Sequence, residues 1–167
     1  MNFFCRALKI IIIFLLLDRT TFAQSYEPFN LIEPASKSEL WLNPGMYSYH
    51  YDKSQNFNDH NFGFGGEYKF STIASLTVGE FRNSDNAHSK YVGIYWEPIA
   101  IGPVNFGLVG GGFNGNPATN NGGWFPALFP AATIEGDWIG ANIFFIPTVG
   151  DKVHGAISLQ LKIKVMD

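Results

Sequence analysis

The histidines are the first residues of this sequence to examine for chemistry, because an imidazole can act as an acid, a base or a metal ligand near neutral pH. The chain has four of them. No two stand two or four residues apart, the spacing that places paired imidazoles on one face of a strand or helix for a metal ion. The sequence therefore predicts no metal site, and no motif in it predicts another cofactor.

His50 differs from the other three histidines because it ends a predicted strand. The others lie in predicted turns, where we expect them to be solvated; they are His60, His88 and His154. An alternative for His50 is a polar position within an interfacial aromatic belt, because tyrosines stand at positions 47, 49 and 51. The chain has no Gly-x-Ser-x-Gly elbow, and the glycine-rich run GFGGEY is not followed by a helix that would make it a phosphate loop.

The N-terminus has the features of a secretory signal peptide, predicted over residues 1–23. Arg6 and Lys9 precede an apolar run at 10–17 that is too short to span a bilayer as a helix, and Thr21 and Ala23 are suited to a cleavage site. We expect residues 24–38 to form a polar lead-in with one helical turn, and residues 39–167 to form a single domain.

Charge and cysteine content exclude two classes of protein. Without residues 1–23 the chain keeps 8 Lys and Arg against 13 Asp and Glu, a net charge of −5, so nucleic acid is not an expected partner. The only cysteine, Cys5, lies in the predicted signal peptide. An exported chain without cysteine cannot be stabilised by a disulfide framework.

Eight strand-like segments follow, separated by clusters of Asn, Gly, Asp and Pro that are typical of turns. They are predicted at 39–51, 60–70, 73–83, 89–99, 103–114, 126–135, 138–147 and 154–165. Their lengths suit tilted transmembrane strands. The predicted fold is all-β, an eight-stranded antiparallel up-and-down β-barrel of outer-membrane type, closed between the first and last segments.

Alternation of side chains predicts which face of the last strand meets lipid. One face is aliphatic and we expect it outside; it holds Ile157, Leu159, Leu161, Ile163 and Val165. The other face holds Ser158, Gln160, Lys162 and Lys164, expected in the lumen. In the second strand Glu67 and Lys69 should also face inward, with the lysines of the last strand joining Glu67, Glu80 or Glu97. The opposite orientation would indicate a soluble, calycin-like periplasmic lipid binder.

The chain resembles a known family, the outer-membrane lipid A palmitoyltransferases (PagP). The segment GWFPALFPAATIEGDWIGANIFFIP, 123–147, is similar to the C-terminal part of that family without gaps in the proline spacing. YWEPIAIGPVNFGLVGGG, 95–112, is similar to its Trp-x-Pro strand pair. FRNS, 81–84, stands where the family has Phe-Lys-Asp-Ser, and YDK, 51–53, is similar to the start of its first long loop. The resemblance covers roughly 41–165.

The resemblance implies a lateral gate for an acyl chain at Pro126, Pro130 and Pro147. Prolines in neighbouring strands remove ladder hydrogen bonds, so the gap admits the chain sideways from the outer leaflet. An alternative is that these prolines only begin strands, as Pro126 is expected to do.

The resemblance also implies a catalytic set of His, Asp and Ser at the outer rim. Ser84 matches the serine, Asn83 stands at the acid position, and Met46 stands at the histidine position. His50, on the same face as Met46 if the ladder is regular, is the candidate replacement, and it must come within about 2.6–3.2 Å of Ser84. Because an amide cannot stabilise a cation by charge, transfer is expected to be slow or absent, with lipid binding the more robust property.

These inferences leave three functions open. The first is a monomeric outer-membrane barrel that binds the acyl chain of a membrane lipid or of lipid A, with weak or lost activity of the lipid A acyltransferase type. The second is a non-enzymatic barrel with a structural or envelope-interaction role. The third is the soluble lipid binder.

Overall fold

The computed structural model describes residues 29–150 and 152–167, and in these residues nearly all regular structure is β-strand. A single 3₁₀ turn, Asn120–Gly122, interrupts one loop. The predicted signal peptide lies outside the described residues. The strands are β1 Asn30–Leu31, β2 Ser36–His50, β3 His60–Ser71, β4 Ala74–Arg82, β5 His88–Ile101, β6 Val104–Phe113, β7 Phe125–Glu135, β8 Ile139–Ile146 and β9 Ala156–Met166.

Strands β2 to β9 form a closed barrel. Each pairs antiparallel with the next, and β9 returns to pair with β2 through contacts such as Ser48↔Ser158. This confirms the predicted eight-stranded fold and its closure. The alternation of the sequence and its turn residues agree with this outcome, because successive side chains of a strand point to opposite faces of the sheet.

The lead-in differs from its prediction. Residues 29–35 contain no helix, and the short strand β1 pairs with β5 at Asn30↔Ala100 and Leu31↔Ile99. The Thr72 hydroxyl donates to the carbonyl of Glu33 (2.7 Å) and accepts from the N–H of Ala35 (3.0 Å). These bonds to the β3–β4 turn satisfy backbone groups that a helical turn would have paired internally. The predicted helical turn was therefore wrong for the part of the lead-in that the structure describes.

The two faces of β9 are oriented as predicted. Lys162 is 1% exposed, whereas its neighbour Ile163 is 58% exposed. Ser158 and Gln160 are also buried in the lumen, and Leu161 and Val165 face outward. The same alternation exposes aromatic and aliphatic side chains around the rest of the barrel, including Phe62, Phe64, Val78, Val92, Ile94, Leu128 and Ile139. An apolar belt around a polar lumen is the arrangement of a transmembrane barrel, and soluble monomers rarely expose so continuous a patch.

Loop lengths distinguish the two ends of the barrel. Short turns join β3 to β4, β5 to β6 and β7 to β8, whereas the loops after β2, β6 and β8 are longer. We call these the short-turn end and the long-loop end. Among the described residues, no helix has the length and apolar character needed to cross a bilayer.

A β-bulge in β2 changes which residues face the lumen. The register shifts between Asn43 and Gly45, next to Pro44, and Gly45 has a positive φ of 98°. Before the bulge odd-numbered residues such as Trp41 are buried, and after it even-numbered residues such as His50 are buried. Bulges commonly re-aim a side chain beside a functional site. Here the bulge turns His50 into the barrel.

The membrane-facing surface can be tested at Leu161, which lies in the middle of β9 and faces outward. We expect Leu161→Lys to destabilise folding into lipid vesicles by about 2–4 kcal/mol, the cost of a lysine at the bilayer midplane. Urea titration of folding in vesicles measures this. The control is Gln55→Lys, which adds the same charge at an exposed loop position. Equal stability of the two variants would mean that this face does not contact lipid.

Candidate functional site

Three side chains at the long-loop end form a connected hydrogen-bonded group. The Nε2 atom of His50 lies 2.9 Å from the Oγ of Ser84, and its Nδ1 atom lies 2.9 Å from Oδ1 of Asp59. With Nδ1–H donating to the Asp59 carboxylate, Nε2 accepts the hydrogen bond from the Ser84 hydroxyl. This is the connectivity of a Ser-His-Asp triad, in which the carboxylate orients the imidazole and the imidazole accepts the serine proton.

Each member of this group comes from a different segment. His50 is the last residue of β2, Asp59 immediately precedes β3, and Ser84 follows β4 in a tight turn. The sequence-based prediction that His50 must reach Ser84 within hydrogen-bonding distance agrees with this geometry. Asp59 was not predicted. The hairpin register offers a signal for it, because Tyr47 pairs with His60, so Asp59 stands opposite Ser48, two residues from His50.

Aromatic rings cover the imidazole. The ring of Phe57 lies 4.8 Å from that of His50, and the ring of His154 lies 4.7 Å from that of Phe57, measured between centroids. The His50 side chain is only 5% exposed. His154 therefore does not behave as the solvated turn residue that was predicted, since it packs on the cover of the site. His60 and His88 begin strands β3 and β5 and are exposed.

The loop that carries Phe57 and Asp59 has its own internal bonds. The N–H and the hydroxyl of Ser54 both donate to the Asp52 carboxylate, at 2.8 and 2.7 Å. The Ser54 hydroxyl, followed by its N–H, holds the pKa of Asp52 below its usual range because both donors stabilise the charged form. This turn stabilises the start of the loop that completes the site.

Asn83, the predicted third member, does not contact His50. Its side-chain oxygen accepts from the N–H groups of Asp85 (3.0 Å) and Ala87 (2.9 Å), and its amide donates to the Ser89 hydroxyl (3.0 Å) and the Gly115 carbonyl (2.9 Å). Both donors and both acceptor positions are used. Asn83 thus fixes the turn that holds Ser84 and ties it to the β6–β7 loop.

We expect Asn83→Asp to lower rather than raise any activity at Ser84. A carboxylate can still accept from Asp85 and Ala87, but it cannot donate to Gly115, and it places a charge against that carbonyl. Losing this bond loosens the turn. The measurement is the rate of acyl transfer together with thermal stability in detergent. A rate above that of the unmodified protein would show that an acid beside Ser84 is the missing element.

Below the group lies a cavity of about 480 Å³ inside the barrel. Its wall is mainly apolar and reaches the buried cluster of Tyr95, Val109 and Phe144 at mid-barrel. His50 and Ser84 line the part of the cavity nearest to the long-loop end. The size lies within the range of small-ligand sites, and the apolar wall suits a hydrocarbon chain.

A buried ion-pair network fills the lumen towards the short-turn end. Lys162 lies 3.0 Å from the Glu67 carboxylate and 2.8 Å from Glu135, and Lys69 pairs with Glu135 as well. Asn142 donates to Glu67 at 3.0 Å. The inward positions of Glu67 and Lys69 and the Lys162–Glu67 pair agree with the sequence-based expectation. Glu135 joins them, whereas Glu97 accepts from the Thr133 hydroxyl at 2.6 Å and Lys164 pairs with Glu39 and Asp167.

The β7–β8 ladder is incomplete at the long-loop end. Its outermost pair is Ala131↔Phe144, directly after Pro130, and residues 125–130 pair only with β6. Pro147 was predicted inside the strand 138–147, but it lies one residue beyond the end of β8. Pro126, the second residue of β7, and Pro147 line the cavity. The prolines thus coincide with a seam beside the cavity, defined by 125–130 and 145–147.

Metal chemistry has no arranged ligand set in the described part of the chain. No group of three or more His, Cys, Asp or Glu side chains there is placed to hold a metal ion.

The fold places this protein among β-barrels of the transmembrane type. A solved structure described as a de novo designed transmembrane β-barrel is similar to it, with a TM-score of 0.50 and 14% sequence identity over 81% of this chain and 100% of that one. At this identity the likeness shows the fold alone. No protein-family model matches the sequence, and no curated protein matches it either.

Proposed function

We propose that this protein is an outer-membrane enzyme that holds a lipid acyl chain in its lumen and transfers it to an acceptor such as lipid A. The observation that supports this most directly is the His50–Ser84 pair, which lines a mainly apolar cavity near the long-loop end of the barrel. A chain that fills the cavity places its ester carbonyl at the rim, beside a hydroxyl whose proton the imidazole can accept.

Asp59 changes the expected strength of the activity. With only Asn83 beside Ser84, a developing imidazolium would lack a charged partner. Asp59 supplies that partner at 2.9 Å from Nδ1. A carboxylate in this position selects the reactive tautomer and stabilises the cation that forms during proton transfer. We therefore propose active transfer rather than a barrel that has lost its chemistry.

The seam beside the cavity supports lateral access for the chain. Residues 125–130 of β7 pair with β6 but have no partner in β8, so no hydrogen-bond ladder joins β7 to β8 in this part of the wall. A hydrocarbon chain that enters there passes from the bilayer core into the mainly apolar cavity without crossing water or the polar rim. Access from the outer leaflet requires the long-loop end to face outward, the usual orientation of such barrels.

The test is the acylation state of lipid A in cells that express the protein. We expect an additional acyl chain by mass spectrometry, and we expect it to be absent with Ser84→Ala or His50→Ala. The controls are Ser36→Ala and His88→Ala, which remove the same groups from exposed positions outside the cavity lining. Membrane-inserted protein that never changes lipid A or phospholipid acylation would favour the non-enzymatic barrel.

The gate has a separate test in the double variant Pro130→Ala, Pro147→Ala. The new N–H groups allow the β7–β8 ladder to extend past Ala131, so we expect slower transfer with an unchanged rate of ester cleavage for a short soluble substrate. Comparison of long-chain phospholipid with a short-chain nitrophenyl ester measures the difference. Equal effects on both substrates would place the access path elsewhere.

A further inference from the structure

We infer that acyl transfer proceeds in two steps, through a covalent ester between the acyl group and the Oγ of Ser84. This inference rests on the proposed function and specifies how the same site works. The alternative is direct transfer, in which His50 removes the proton of the acceptor hydroxyl and that hydroxyl attacks the bound ester.

The position of the imidazole favours the covalent route. In direct transfer, Nε2 of His50 must be open to the acceptor. Here Nε2 is instead engaged by the Oγ of Ser84 at 2.9 Å, while Nδ1 is held by Asp59 at 2.9 Å. The base is therefore directed at the serine, which is the arrangement that activates a nucleophile.

The backbone around Ser84 is fixed on both sides. The N–H of Asn58 donates to the Ser84 carbonyl at 2.8 Å, and the Asn58 side chain donates to the Asn83 carbonyl at 3.2 Å. The next peptide is held by the bond from the N–H of Asp85 to the Asn83 side chain. A nucleophile that is held in place loses little freedom on reaching the transition state. The rigid turn suits attack by Ser84 itself.

The steps balance without any further reactant. Ser84 Oγ attacks the carbonyl carbon of a phospholipid ester, and His50 Nε2 takes the Oγ proton. The bond from the carbonyl carbon to the glycerol oxygen breaks, that oxygen takes the proton from Nε2, and a lysophospholipid leaves. The acceptor hydroxyl then attacks the acyl-serine and gives its proton to Nε2. Breaking the Oγ–acyl bond returns that proton to Ser84.

The cover over the site protects such an ester from water. Phe57 packs on the His50 ring, and His154 packs on Phe57. Water at the imidazole would hydrolyse the acyl-serine before the acceptor arrived, so an apolar cover extends its lifetime. Asp59 touches neither reactant in this scheme and acts as a positioning residue through His50.

The test uses the full chain, folded in detergent micelles, and an alkyl fluorophosphonate as the probe. We expect one covalent adduct by intact mass, located on Ser84 by peptide mapping and absent with Ser84→Ala. Asp59→Asn should slow labelling at least about tenfold and change its pH profile, and Asp59→Glu should restore part of the rate. Ser36→Ala, at an exposed position outside the cavity lining, should label like the unmodified protein. Retained heat-modifiable migration in gels shows that each variant is folded.

A second measurement separates this inference from the proposed function. The protein is mixed with phospholipid and quenched in acid, and both the lysophospholipid and the protein mass are recorded. Acyl-Ser84 together with lysophospholipid supports the covalent route. Transfer to lipid A without labelling or acyl-enzyme overturns the covalent route and leaves the proposed function intact. Labelling of Ser84 without any transfer to an acceptor supports the nucleophile and contradicts the proposed transferase. Absence of labelling, acyl-enzyme and transfer overturns both.

Discussion

Asp59→Asn is expected to reduce the rate of acyl transfer by about 10²–10⁴-fold while the barrel stays folded. The carboxylate accepts a hydrogen bond from Nδ1–H of His50 and so leaves Nε2 free to take a proton. An asparagine amide can donate to Nδ1 instead. The imidazole would then carry its hydrogen on Nε2, where it cannot accept the proton of Ser84.

The measurement is the initial rate of acyl transfer in detergent micelles, with thermal stability recorded for the same samples. The side chain of Asp59 is partly exposed, so its replacement should cost little stability. Asp59→Glu is the matched control, because it keeps the charge and changes only the reach. A rate within threefold of the unmodified protein in Asp59→Asn would remove Asp59 from the mechanism.

Lys162→Met is expected to destabilise the barrel by about 3–5 kcal/mol, the usual cost of removing one partner from a buried ion pair. Lys162 is the cation nearest to Glu67, with its Nζ at 3.0 Å from both carboxylate oxygens, and it also contacts Glu135. Glu135 keeps Lys69 when Lys162 is removed. Glu67 loses its ion pair and keeps only neutral donors such as Asn142 and Ser75.

Glu67→Gln is the compensating variant for Lys162→Met. Adding Glu67→Gln to Lys162→Met removes the buried charge, so the double variant should be more stable than Lys162→Met alone. Urea unfolding, followed by the loss of heat-modifiable migration, measures both. Lys152→Met is the control for loss of an exposed lysine. Additive effects of the two lumenal substitutions would contradict a direct Lys162–Glu67 interaction.

The fold was largely predictable from sequence because its determinants are local. The alternation of Leu161 and Ile163 with Gln160 and Lys162 identifies the face that meets lipid, and turn residues limit each strand. The lead-in was not predictable in this way. Residues 29–35 lack an apolar period, and two of their backbone groups bond to Thr72, which is distant in sequence.

The candidate site was predictable only in part. A family resemblance suggested Ser84, and strand geometry suggested His50, so their contact could be anticipated. Asp59 could not be found from its neighbours, since an aspartate between Asn58 and His60 is an ordinary loop sequence. Its role depends on the β2–β3 register and on the inward direction of His50. Asn83 shows the reverse case, because its place in sequence suggested chemistry, while its four hydrogen bonds indicate a structural role.

The bulge at Pro44 and Gly45 has a consequence for how sequences of such barrels are compared. A strand alternates with a period of two, so the irregularity between Asn43 and Gly45 exchanges the inward and outward sets beyond it. A relative whose β2 alternates regularly, aligned without a gap, would direct the position aligned with Tyr49 into the lumen. Its histidine would then stand in a different alignment column from His50. Scoring by columns would count the functional group as lost, although both chains place it at the same point in space.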